Sequence, residues 1–350
     1  MENKSKIESI GVKLPERCVT TSDIISKLKI FNPPNLERIS GIKERRFCAE
    51  NEDSYTLAVD AVKDCLSRSK YKPEAIDMVV CCSISRNKDG LTTVFEPPLS
   101  LFIKEKIGAH KALNFDIANA CAGMLTGIYI VDSFIKQGII KTGLVVSGEY
   151  ISNLSETAIN RIRTATSSQL ASLTLGDAGA AIVMEKTDQS DSQALKVSGF
   201  TTFSQHNNLC IGRQCHTSPG GIMNTKRRKI HSAAILELPK ILKAALTDSN
   251  LSFSQIDFFI PHQTSITSIK AGMKQMIKKL KGSPGETVTN LEQFGNTAST
   301  SHILALHRYL QEKRIKKGSN ILMTALASGL VIGCVIFSIK DLIQAYGNTN

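Results

Sequence analysis

Apolar and polar side chains alternate from Leu113 to Ile117, and from Met124 onwards Leu125, Ile128, Val131, Phe134 and Ile135 recur at three- and four-residue steps. A period of two followed by a period near 3.6 predicts a strand, a tight turn and a helix buried along one face. The same patterning predicts an entry strand over residues 7–13 that stops before Pro15, and a turn at Asn32, Pro33, Pro34 and Asn35. A helix over Tyr55 to Leu66 carries Leu57, Ala58, Ala61, Val62 and Cys65 on one face, and a strand follows from Met78 to Cys82.

Helix and strand then occur a second time. Leu66, Ser69, Ile76 and Asp77 are matched 180 residues later by Leu246, Ser249, Ile256 and Asp257, and both copies run amphipathic helix, polar loop, then Ile, Asp and an apolar strand. Each half has a helix opening with small residues, Ala120 to Gly123 and Gly295 to Ser299, and each closes on a glycine-bearing apolar segment, 176–184 and 329–339. The expectation is an α/β chain of two similar halves, residues 1–187 and 188–350, joined by the polar stretch near Thr187 to Ala194. Residues 200–230 are expected as an insertion.

Composition narrows the class. With 350 residues, 42% of them apolar, the chain can bury a large core. The N-terminal residues are polar, no hydrophobic segment follows them, and the apolar run from Gly329 to Phe337 is far short of a membrane span, so a cytoplasmic protein without membrane attachment is expected. Nine scattered cysteines without CxxC pairs read as reduced thiols, and Cys210, Cys215 and His216 are too sparse a group to predict a metal site. The net charge of +12 includes clusters at Lys226–Lys229, Lys274–Lys281 and Lys313–Lys317. With no tryptophan and no aromatic residues among these clusters, nucleic-acid binding is not expected. An acidic protein partner fits such a surface, as do plain solvated helix faces.

Chemistry in open α/β sheets gathers at the carboxyl ends of strands, where helix N-termini converge. Cys121 occupies such a place, and the helix N-terminus favours a thiolate there. The second half offers His262, at the end of the Phe259, Ile260, Pro261 strand, and Asn296, at a helix start. Cys, His and Asn together form a set for acyl transfer. Each also has a plain structural reading, as a core cysteine, a strand-end histidine and a helix cap, and spacing leaves both readings open.

The segments DIANACAGM around Cys121, PHQ at 261–263 and GNTAS at 295–299 resemble, in order and spacing, the active-site motifs of the ketoacyl-ACP synthase III family. SGIKERR at 40–46 and GDAGAA at 176–181 are similar to further family signatures, so the resemblance spans nearly the whole chain. It implies a thiolase fold, layered α-β-α-β-α, and a homodimer that acts on acyl thioesters and acyl carrier protein without metal or other cofactor. It further implies that Cys121 carries the acyl group while His262 and Asn296 bind the second thioester and stabilise its enolate. The N–H of Cys121 and one from the Ala327, Ser328, Gly329 turn would form the oxyanion hole, represented by Cys121 and Ser328. Gly176 and Asp177 read as structural turn residues.

Departures from the family pattern refine this. The adenine-stacking tryptophan is missing, its neighbouring arginine falls on Ile39, and the carrier-docking arginine after the histidine motif falls on Thr267. The helix carrying Lys274, Lys278 and Lys279, just after His262, is the alternative carrier-protein surface. NACAGMLTG, SGEYIS, HQTS, GNTASTSH and ASGLVIG together look like the ketosynthase/cyclases that make cyclohexanedione precursors of dialkylresorcinols and bacterial stilbenes. In that reading Glu149 is a candidate acid/base for ring formation; otherwise it is a surface carboxylate at a strand end. A chain-initiating 3-oxoacyl-ACP synthase III is the alternative within the class, and a non-catalytic basic binding protein the alternative outside it.

Overall fold

The computed structural model describes residues 3–217 and 219–347. One five-stranded sheet holds β1 (Lys4–Lys13), β2 (Met78–Cys81), β3 (Leu113–Asp116), β4 (Thr142–Glu149) and β5 (Ala178–Thr187), in the order β1-β5-β4-β2-β3. The other holds β6 (Val197–His206), β7 (Phe258–Pro261), β8 (Glu286–Thr287), β9 (Asn320–Ala327) and β10 (Gly329–Ser338), in the order β6-β10-β9-β7-β8. The two orders are one topology used twice. In each sheet the first two pairings are antiparallel and the last two parallel.

The duplication extends to single hydrogen bonds. The Asp77 carboxylate accepts from the backbone N–H of Thr142, the first residue of β4, at 3.0 Å. Asp257 accepts from Asn320, the first residue of β9, at 2.7 Å. The shared aspartate of the repeat thus satisfies a donor at a strand start in both halves.

Six helices pack on these sheets: α1 (Ser54–Leu66), α2 (Leu99–Ile107), α3 (Gly123–Lys136), α4 (Arg227–Asp248), α5 (Ile266–Leu280) and α6 (Ser301–Gln311). Leu125, Ile128 and Val131 of α3 and Ile303, Leu306 and Leu310 of α6 share one core with Met78, Val80 and Val145 of the first sheet and Ile260, Ile321 and Met323 of the second. Alternate residues of the same strands face outwards, Val79, Cys81 and Leu144 beneath α1 and α2, and Phe259, Leu322 and Ile336 beneath α4 and α5. Strands buried on both faces read as continuous apolar runs, as these do. The result is five layers, α-β-α-β-α, with α3 and α6 in the middle. Each fully buried Leu or Ile of that middle layer contributes about 2 kcal/mol of apolar burial.

The expected insertion is smaller than its predicted bounds. Residues 200–206 belong to β6, and the excursion is a hairpin, Cys210–Gln214 paired with Gly221–Thr225. Phe200, Thr201, Thr202 and Ser204 are half-exposed or exposed on an edge strand, so they lack the apolar run that marks the central strands. The first half makes a similar excursion after β1, pairing Arg17–Thr20 with Glu44–Phe47. Among the described residues no helix is long and apolar enough to cross a membrane.

Candidate active site

Between β3 and α3 the chain makes a tight turn at Ala120–Ala122, with Ala120 in the left-handed region at φ 45°. Asn119 Nδ2 donates to Thr126 Oγ1 at 2.8 Å, and Thr126 Oγ1 donates to the Ala122 carbonyl at 2.9 Å, which pins the turn to the helix it opens. Gly123 admits the close approach of a neighbouring strand end, since a Cβ there would lie 2.8 Å from the Cys82 carbonyl oxygen. The second half repeats the device. Ala298 has φ 52°, Ala298–Thr300 forms the turn and α6 follows. Ser299 is therefore the counterpart of Cys121, and the two turns pack on one another.

Cys121 is half-buried against the cluster of Ile151, Leu175 and Ala298, on which Leu154 and Met223 also pack. The expected thiolate is not what these surroundings favour. Burial pushes the Cys121 thiol up to about 12, with Cys210 and Glu149 adding to the shift. A helix N-terminus supplies about 0.3–2 kcal/mol, less than the cost of desolvating a thiolate in an apolar cradle.

His262 follows β7 and is 4% exposed. Its ring lies on that of His302, the second residue of α6, with centroids 5.8 Å apart and planes 24° from parallel. Its Nδ1 is buried without a hydrogen-bond partner. Burial, and then His302, push the His262 pKa down to about 3, so the ring is neutral at physiological pH.

Asn296 is clamped by the opposite half. Its N–H donates to the Thr174 carbonyl at 2.9 Å, and its own carbonyl accepts from Gly176 N–H at 3.0 Å. Its side-chain Oδ1 accepts from Ala298 N–H at 3.0 Å, which directs the amide nitrogen away from the turn as a donor. The other family-like motifs support this clamp. The fully buried Arg45 donates to Thr21 Oγ1 and the Leu173 carbonyl, and a Cβ at Gly176 would meet its Cβ at 3.0 Å and the Phe294 carbonyl oxygen at 2.4 Å. The Asp177 carboxylate accepts from the N–H groups of Cys48, Ile151 and Ser152 and from the Ser152 hydroxyl.

Glu149 ends β4 and is 0% exposed, so the surface alternative does not hold. Its carboxylate accepts from Ser299 Oγ at 2.5 Å, Ser147 Oγ at 3.0 Å, Ile84 N–H at 3.1 Å and Ser85 N–H at 3.3 Å. Burial raises its pKa to about 7 against the opposing pull of those donors. Ser328 is the half-buried turn residue between β9 and β10, and both strands touch the Cys121 turn.

The Cys121 turn packs on the Ala298–Thr300 turn that opens α6, the His262 ring lies on His302 of α6, and Asn296 precedes that helix by five residues. Lys274, Lys278 and Lys279 lie apart from this cluster, exposed on α5 and outside the ion pairs formed among the described residues. Thr267 donates to the Ile39 carbonyl at 2.9 Å, so the two positions where the family pattern has arginines touch each other. Among the described residues no three His, Cys, Asp or Glu side chains are grouped to hold a metal. Sequence reasoning overlooked Ser147, Ser299 and His302; the repeat could have found Ser299, which stands at the counterpart of Cys121.

The family model described as 3-oxoacyl-[acyl-carrier-protein (ACP)] synthase III matches residues 115–202 and its C-terminal counterpart residues 246–339, together just over half the chain. The beta-ketoacyl-[acyl-carrier-protein] synthase III of Aquifex aeolicus (strain VF5) is 28% identical over 333 residues, covering 95% of this chain and 98% of that protein. A solved synthase III from Aquifex aeolicus VF5 superposes with a TM-score of 0.81 at 24% identity, covering 96% of this chain and all of that one. An OleA variant from Xanthomonas campestris, solved with lauric acid and lauroyl-CoA, gives 0.84 at 22% identity over 97% of this chain and 100% of that one. The fold is the thiolase fold, and the protein is a condensing enzyme. The chain belongs to the 3-oxoacyl-[acyl-carrier-protein] synthase III family.

Proposed function

We propose that this condensing enzyme is a ketosynthase/cyclase, joining two acyl thioesters through an acyl-Cys121 intermediate and closing the product to a cyclohexanedione. The observation that carries the core of this reading is the convergence of the Cys121 turn, the His262 ring and the Asn296 segment on the start of α6. In the first step the Cys121 sulfur attacks the carbonyl of an acyl thioester, His262 receives the thiol proton, and the donor thiol leaves with a proton. In the second step neutral His262 and the Asn296 amide donate to the carbonyl oxygen of the other thioester, a malonyl-type unit, and stabilise the enolate left when its α-carboxylate departs as carbon dioxide. The enolate carbon attacks the acyl-Cys121 carbonyl, whose developing charge is met by the N–H groups at Cys121 and the Ser328 turn, and the Cys121 thiolate leaves; ring closure then takes a second carbon–carbon bond, from a carbanion of the joined chain to the remaining thioester carbonyl, with the carrier thiol leaving. Each such donor is worth about 3 kcal/mol of barrier. Glu149, with its oxygens engaged by four donors, we assign to holding the Ser299 turn rather than to proton transfer.

The cyclase part of the reading is supported by the Ile39–Thr267 contact, which leaves neither family arginine in place for CoA or carrier docking. The OleA variant with bound lauric acid and lauroyl-CoA offers a fold precedent for long acyl groups. The chain-initiating synthase is favoured by the synthase III name of the relative that spans 95% of this chain. Mass spectrometry after incubation with an acyl thioester is expected to find an acyl adduct on the wild type and none on Cys121→Ala; an equal adduct on both overturns the enzyme mechanism. With two acyl-carrier substrates a cyclic dione selects the cyclase, and a linear 3-oxoacyl product alone selects the initiator.

A further inference from the structure

A catalytic imidazole is ordinarily held in its working orientation by a hydrogen bond to its second nitrogen. His262 has no such bond, because its Nδ1 is buried and unpartnered. What lies against the ring instead is His302, near parallel at 5.8 Å, within the range of offset ring stacking. His302 is itself fixed, since its Nε2 lies 2.8 Å from the Thr324 carbonyl oxygen. A carbonyl only accepts, so Nε2 of His302 carries the proton and its Nδ1, buried and unpartnered, is left with a lone pair. The anchor and the ring it serves share one rigid element, because Thr324 pairs with Pro261, the residue before His262. Burial at the first turn of a helix, where the dipole opposes a cation, keeps His302 neutral.

We propose that His302 is a positioning residue, a neutral ring anchored on the Thr324 carbonyl whose face sets the orientation of the His262 imidazole. It touches neither the nucleophile nor the expected site of the second carbonyl; it acts through His262. The consequence for turnover rests on the function proposed above, whereas the ring geometry does not.

Nitrogen-edited NMR and two variants test this together. In the wild type His302 is expected as a single tautomer, protonated on Nε2, that does not titrate between about pH 5 and 8, with its ring protons in contact with those of His262. A proton on Nδ1 of His302, or no contact between the rings, overturns the proposal. His302→Phe keeps a plane and is expected to hold kcat within about threefold. His302→Met refills the volume without a plane and is expected to lower kcat by about tenfold or more at unchanged KM, with Cys121 acylation intact. Equal activity of the Met variant and the wild type, or equal impairment of both variants, overturns it. Should the Met variant not fold, the wild-type spectra decide alone. A wild type with native ring geometry that condenses no thioester refutes the proposed function and leaves the His302 assignment standing.

Discussion

A thiol with a pKa of about 12 is almost wholly protonated at neutral pH, so in the proposed reaction Cys121 needs a base to take its proton as it attacks. Its reactivity toward a small alkylating agent is therefore expected to climb steadily from about pH 7 to 10, about tenfold per unit, because the thiolate fraction rises throughout. Peptide-resolved iodoacetamide labelling measures this, and a plateau near pH 7 would mean that the helix N-terminus outweighs burial. Glu149 gives the complementary case. Its folded pKa of about 7 stands above the ordinary carboxylate value, so the folded chain holds that proton more tightly than the unfolded one. The stabilisation is full below the unfolded pKa, is lost as pH rises toward 7, and is constant above. Glu149→Gln is expected to gain on the wild type by about 3 kcal/mol between pH 5 and 8, whatever its offset at either end. Urea unfolding at both pH values measures the gain; parallel curves would place Glu149 at an ordinary carboxylate value.

At the scale of elements, the strands and helices that bury two faces or one stripe were plain in the sequence. Met78–Cys81, the β3 alternation and the α3 periodicity announce themselves because burial dictates residue type at every position. The edge strand β6 did not, since solvent accepts Thr201, Thr202 and Ser204 there as readily as a loop would. The candidate site was legible where its residues sit in short motifs at strand and helix ends, at Cys121, His262 and Asn296. It was illegible where its geometry arises from packing between distant elements, as in the stacking of His302 on His262 or the bond from Ser299 to Glu149. The α5 lysines are legible in the sequence but depend on an absent partner. If they receive an acidic carrier protein, raising salt from about 0.05 M to 0.5 M should lower kcat/KM for carrier-borne substrate while leaving a pantetheine thioester unaffected. Replacing Lys274, Lys278 and Lys279 by Glu should flatten that salt dependence. Rates with carrier substrate that do not change with salt remove α5 as the docking face.

The whole molecule is one α/β unit built twice, and the two sheets differ in what covers their ends. The first sheet ends on β3, whose outer backbone groups have no strand beside them among the described residues. Leu113 at its start is 53% exposed and Asn114, Phe115 and Asp116 are half-buried; its one charge, Asp116, is taken up within the chain by the N–H groups of Leu99 and Ser100 and by Arg86, and no proline blocks the edge. The opposite edge, β1, is by contrast packed by α1, α3 and α6. An open edge of this kind is a template for pairing, and closed two-fold symmetry lets two copies of β3 pair antiparallel so that one sheet runs through both chains. The Cys121 turn begins four residues after β3, so, if Cys121 is the nucleophile proposed above, such pairing would brace it from behind and make assembly and activity fall together. Light scattering on the eluting wild type is expected to give twice the chain mass. Asn114→Pro, which removes a ladder donor and fixes the backbone, should give single chains with condensation reduced by at least about tenfold. A wild type that elutes as a single chain and is fully active would remove both the dimer and the bracing.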